Sequence, residues 1–176
     1  VSQSGTEPAE SDAKDASNTE YGYAMGPAPG SEPDSDPESW ELSATGIGPI
    51  SLGMSEAEAK EVAPELVSTP AEFCDMWKVP GLNDVNFGVP PEGLRSIGLV
   101  EGSGHGPGGV EAGTSISTMK AKLGSDLTHE PVDMGSLPYD FYYLYSPSKE
   151  TAVQFVVNLD TQKVMFVSAG YPGEFY

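Results

Sequence analysis

At 176 residues the chain is long enough for one domain with a hydrophobic core of its own. It carries 27 acidic residues against 8 basic ones, a net charge of −19. Such a chain repels phosphate backbones and anionic lipid surfaces, which argues against a nucleic-acid partner, and the same acidity aids solubility.

Residues 1–41 form the first compositional block. They hold ten acidic residues and a single lysine, Lys14, in a background of Ser, Pro, Gly and Ala. Aliphatic side chains are nearly absent, so the block cannot bury enough apolar surface to offset its ordering entropy, and it reads as a disordered acidic tail or tether. Tyr21, Tyr23 and Met25 interrupt the polar run. They read either as a small docking point or as aromatic residues scattered in a linker. The chain starts at Val1, which raises the expectation of a removed upstream segment such as a signal peptide. A lipid or wall anchor upstream of Val1 is the one membrane link expected, because no apolar run approaches the length of a membrane span.

Residues 42–176 read as a single globular domain built from two repeats, about 44–101 and 108–170. The first opens at Ile50-Ser51-Leu52-Gly53-Met54-Ser55. Ser55 and Glu58 have capping-box spacing, Ala57, Ala59 and Val62 lie along the short helix that follows, and Pro64 discourages its continuation. Strands are predicted at about 71–78, 83–89 and 94–100. The second opens at Val110-Glu111-Ala112-Gly113-Thr114-Ser115. Gly113 − Gly53 and Ser115 − Ser55 give the same offset of 60 residues, the mark of a duplicated unit. Ser115 is the predicted cap, Ile116, Met119 and Leu123 fall at helical spacing, and Gly124 is placed as the stop. Three strands follow, from Tyr139 to Tyr145, Thr151 to Leu159 and Lys163 to Ser168, with Asp160-Thr161-Gln162 as a hairpin loop. The predicted class is α+β: a tandem repeat of a short helix plus a three-stranded antiparallel meander, with the helices packed on one face of the sheet.

Little in the chain points to catalysis. Gly104-His105-Gly106-Pro107-Gly108-Gly109 contains G-x-G-x-x-G, but no helix follows it directly and Pro107 removes an amide, so it reads as a loop between the repeats. His105 and His129 read as surface residues, since no metal-ligand spacing connects them to Glu130 or Asp133. Cys74, the only cysteine, cannot form an internal disulfide, and its flanking Glu72 and Asp75 disfavour a thiolate. It reads as a buried structural cysteine. No nucleophile elbow is present. The chain is therefore read as a non-enzyme with no cofactor and no metal site.

The aromatic strand carries the binding expectation. Tyr139, Phe141, Tyr143 and Tyr145 share one face of a strand, Tyr142 and Leu144 the other. One face must pack on the core. The other is either exposed, as suits protein recognition, or more core. Trp77, with Trp40, Tyr171, Phe175 and Tyr176, is expected to extend that face.

The apolar-x-x-Gly-Met-Ser pattern with its acidic cap rests on Ile50, Gly53, Met54, Ser55, Glu58 and Ala59, then on Val110, Gly113, Ser115, Met119, Leu123 and Gly124. It resembles the unit shared by β-lactamase inhibitor protein and the small outer-membrane-assembly lipoproteins of the BamE type, over roughly residues 44–170. The resemblance implies a concave sheet that binds protein. The chain departs from the inhibitor type in its single cysteine, where such domains carry disulfides, and no inhibitory residue carries over.

The expected function is that of an exported, extracytoplasmic bacterial envelope protein, non-catalytic, that binds a protein partner, such as a membrane complex to which it is an accessory subunit. The alternatives are a secreted inhibitor of an extracellular enzyme and a small-ligand or cation-binding module using clustered carboxylates.

Overall fold

The computed structural model describes residues 36–175. Tyr21, Tyr23, Met25 and Tyr176 lie outside the described residues, as does nearly all of the predicted tail. Mostly strands, the fold is mixed α+β with antiparallel sheets. β1 (Leu42–Ser43), β2 (Gly46–Ile47) and β3 (Ile50–Ser51) form a small sheet. α1 (Glu56–Val62) leads to a two-stranded ribbon of β4 (Val67–Thr69) and β5 (Met76–Lys78). β6 (Val85–Gly88) and β7 (Ser96–Leu99) precede α2 (Ile116–Leu123). β8 (Leu127–Glu130), β9 (Tyr139–Tyr145), β10 (Ala152–Asn158) and β11 (Lys163–Gly170) complete the chain. The main sheet has six strands in the order β6-β7-β11-β10-β9-β8.

Alternation builds that sheet. Along β10, Val153, Phe155 and Val157 point one way, opposite Ala169, Val167 and Val164 of β11. Leu99 and Ile97 continue that inner face across β7, and Val85 and Phe87 across β6. All belong to one core, which also takes Leu42, Ile47 and Ile50 from the small sheet and Ala59, Ile116 and Met119 from the helices. Each such Val, Leu, Ile, Met or Phe side chain contributes about 1.5–3 kcal/mol on burial. The register slips between Val156 and Val157, leaving Met165 of β11 as the extra residue of a bulge.

The helix ends follow their predicted chemistry. The Ser55 hydroxyl accepts from the Glu58 amide, and the Glu58 carboxylate accepts from the Ser55 amide at 2.9 Å. Those bonds hold the Glu58 carboxyl below its ordinary range, the backbone donor foremost. Ser115 caps α2 through the Thr118 amide, and Gly124 ends it at φ 61.

Strands departed from expectation where they are short. β8 holds one apolar residue in four, and it forms because β9 offers a long paired edge beside it, not from its own propensity. β1 to β4 are two or three residues each, too short for periodicity to show. The strand predicted from 71 begins only at Met76, and the residues before it form a loop. Trp40, inside the predicted tail block, is buried at 8% exposure. A Cβ on Gly48 would stand 2.2 Å from its ring, so the indole lies flat on that glycine. Regular structure thus lies ahead of Leu42, in a 3-10 turn over Pro37–Ser39 capped by Asp36.

Candidate functional site

The outer face of the six-stranded sheet is where the structure separates the predicted aromatic residues. Its registers give three rows of side chains. The central one crosses all six strands as Asn86, Gly98, Ser168, Gln154, Tyr143 and Thr128. A second runs Gly88, Ser96, Gly170, Ala152 and Tyr145, a third Phe166, Val156, Phe141 and Glu130. Side-chain bulk therefore rises from the β6 edge, where glycine and serine prevail, to β9, where every outward position is aromatic.

The aromatic half is closed. Phe141 and Tyr143 are buried at 6% and 3% exposure, and with Ala152 they form a second, smaller core. Val132 and Met134, from the segment between β8 and β9, pack over it together with Phe175. Tyr143 stacks on Tyr145 at 5.6 Å and meets the Phe175 ring at 6.2 Å. Its hydroxyl accepts from Gln154 Nε2 at 3.0 Å. Of the two alternatives for the outer tyrosine face, interface or further core, Phe141 and Tyr143 take the second: the chain roofs its own aromatic row. Tyr139 and Tyr145 are half-buried at its margins. Trp77 does not extend the face. It lies in the main core beside Phe87, at 6.2 Å between ring centroids, because β5 belongs to the separate ribbon.

The small-residue half is open. Two adjoining depressions of about 570 and 390 Å³ share Asn86, Gly98, Ser168 and Phe175. Their floor is polar, with Asn86, Ser96 and Ser168, and a Cβ on Gly98 would meet nothing within 4 Å. Phe166, 59% exposed, and Val156 wall one side. The other wall is Phe175, carried by the C-terminal segment. Arg95 holds that segment by donating from Nε and Nη2 to the Glu174 carboxylate while its guanidinium lies 4.0 Å over the Tyr171 ring. The hydrogen bond to Glu174 raises the Arg95 pKa above its ordinary value. Concave, apolar-walled and polar-floored, this half can seat a protruding side chain of another molecule.

Other sequence candidates land elsewhere. His105 is buried, a correction to its surface reading: its Nδ1 pairs with the Trp40 carbonyl at 2.6 Å, and its own carbonyl accepts from Leu42 at 2.8 Å. The glycine-rich loop thus splices the first strand to the core. Cys74 is exposed, not buried, in the loop between β4 and β5. Beside it stands Phe73 at 81% exposure, with Val67 and Met76 outward on the ribbon. The ribbon alternates, so turning the half-buried Ser68 and the buried Trp77 to one side puts Val67 and Met76 on the other. His129 is exposed, stacked on Tyr142 at 4.5 Å and paired with Asp140. Among the described residues no group of three His, Cys, Asp or Glu side chains could hold a metal ion, and no helix is long and apolar enough to cross a membrane.

Sequence reasoning missed Gly98, Ser168 and Phe166 as site residues. The signal was the alternation Ser96-x-Gly98 and Phe166-x-Ser168, whose outward positions are small or exposed, but it gains meaning only once β7 and β11 are known to be neighbours. No family model, no curated protein and no solved structure matches the chain.

Proposed function

We propose that the protein is a non-catalytic, exported bacterial envelope protein that binds a protein partner through the open half of its outer sheet face. One observation carries the reading: a row of small side chains, Asn86, Gly98 and Ser168, leaves a depression beside the exposed Phe166, on a sheet whose other face is buried in the core from β6 across β7, β11 and β10. Exposed aromatic residues beside a vacant pocket are what protein interfaces use as anchors. The 60-residue offset between Gly53–Ser55 and Gly113–Ser115, each followed by a serine-capped helix and then strands, supports a duplicated unit with its helices on one face. It also supports the likeness to β-lactamase inhibitor protein and BamE-type lipoproteins. An accessory role in a membrane complex follows from that likeness, as does an extracytoplasmic location.

Photo-cross-linking in the native cell tests it. A photoreactive residue at Phe166 should give a discrete adduct with one partner, and the same residue at Lys60 should not. Absence of an adduct at Phe166, or equal labelling from both positions, would overturn the reading. A second reading, a secreted inhibitor of an extracellular enzyme, is favoured by Phe73 at the tip of the β4–β5 ribbon. It calls for saturable inhibition that disappears in Phe73→Ala.

A further inference from the structure

A separate cleft of about 840 Å³ lies at the opposite end of the main sheet. Two strands that end their sheets line it: β8, last in the six-stranded order, and β1, last in the small sheet. Among the described residues one backbone hydrogen bond reaches β8 besides its pairing with β9, from Leu127 N–H to the Gly124 carbonyl, so the outward N–H and C=O groups of 128–130 stand ready for another strand. The strand is fixed from both faces. His129 stacks on Tyr142 and pairs with Asp140 on the inner side, and Glu130 accepts from the Tyr145 hydroxyl at 2.6 Å on the outer side. An edge held this firmly presents its template without first having to order itself.

The charges of the cleft select the occupant. Asp126 and Glu130 project from β8 and its approach, Glu41 from β1's approach, against the single cation Lys149. The chain's own residues 1–35 carry seven acidic residues and one lysine, so they would enter against like charge. A second copy brings a net charge of −19 to the same place. We propose that this cleft takes an extended basic segment of a partner protein, added to β8 as a further antiparallel or parallel strand, with its Lys or Arg side chains meeting Glu41, Asp126 and Glu130. Backbone pairing supplies the affinity and the carboxylates the selectivity. This deepens the protein-binding reading by naming a chemistry for the partner, and it uses an edge distinct from the open face at Phe166.

The test uses the full chain and a dye-labelled heptapeptide, Val-Lys-Val-Lys-Val-Lys-Val, with its Glu-for-Lys counterpart. Anisotropy should show saturable binding of the lysine peptide alone, weakening by about tenfold or more as salt rises from about 50 to about 500 mM. Glu41→Lys with Asp126→Lys should abolish it and admit the glutamate peptide, with the thermal midpoint unchanged. Amide exchange at 127–130 should slow on binding. No saturable binding, equal binding of both peptides, or binding without slowed exchange at β8 overturns the proposal. So does slow exchange at those amides of 128–130 that point away from β9 in the free protein, which would mean that the chain's own segment or a second copy already covers the edge. Sedimentation velocity assigns that case to one or the other. Slowed exchange confined to 86–98 and 166–168 overturns the edge assignment while leaving the Phe166 reading intact. Peptide on the edge with no Phe166 adduct does the reverse.

Discussion

The two faces of the six-stranded sheet share every backbone hydrogen bond yet do different work. On the inner face Val153, Phe155, Val157, Val167 and Ala169 are all at or below 2% exposure and share one core with Ala59 of α1 and Ile116 and Met119 of α2. On the outer face bulk is graded, and only the aromatic half finds cover, from Val132, Met134 and Phe175. Fold stability therefore concentrates on one face and one half of the other. The remaining quarter, floored by Gly98 and Ser168, contributes little to folding and is free to be shaped for recognition.

Mutations can break this comparison. Phe155→Ala should cost the most, about 3–5 kcal/mol by urea denaturation, since a buried ring at the centre of the inner face leaves a void that cannot collapse. Tyr143→Ala should cost about 3 kcal/mol if the aromatic half is core, while Phe166→Ala, on the same face, should stay within about 0.5 kcal/mol. Equal small losses for both would return the aromatic row to the surface. Ser55→Ala removes the α1 cap and should cost about 1 kcal/mol, with faster amide exchange confined to 56–59. Gly98→Ala should raise stability by about 0.4–1 kcal/mol, because the added methyl meets open space and the unfolded chain loses freedom. It should nevertheless weaken the Phe166 cross-link. The smallest effect is that of pH on the cap. The Glu58 carboxyl is depressed in the folded state, so its contribution is complete above the ordinary carboxylate range and is lost as pH falls through its lowered value. Exchange of the Ser55 amide should quicken over that acid window, and in Glu58→Gln the dependence should vanish.

What the sequence made legible was local. Ser55 with Glu58, and Ser115 with Gly124, announce helix ends because capping is chemistry between near neighbours. Strands β9, β10 and β11 announce themselves because seven or eight residues are enough for alternation to show. β8 was hidden because its one reason to exist, the edge of β9, lies outside it. The site was hidden for the same reason. Gly98 and Ser168 become a floor only when β7 sits beside β11, a pairing between distant parts of the chain. The burial of Tyr143 depended on Phe175 and on the segment holding Val132, neither of which carries a local mark of where it folds back. Cys74 escaped because a loop at the ribbon tip exposes whatever residues it contains.

The pairing of β7 with β11 also sets the order in which the molecule can be completed. Residues 96–99 wait, with one edge open, until 167–170 arrive. β6 and β7 can close as a hairpin early, and β8 to β11 can zip locally, but the seam joining them demands the last strand and a large loop-closure entropy. Folding should therefore be rate-limited at the middle of the sheet and not at its edges, slow as non-local sheets are. Until that step the β7 edge and the apolar side of β11 lie bare together, which makes the late intermediate the species most in need of a chaperone or of dilution.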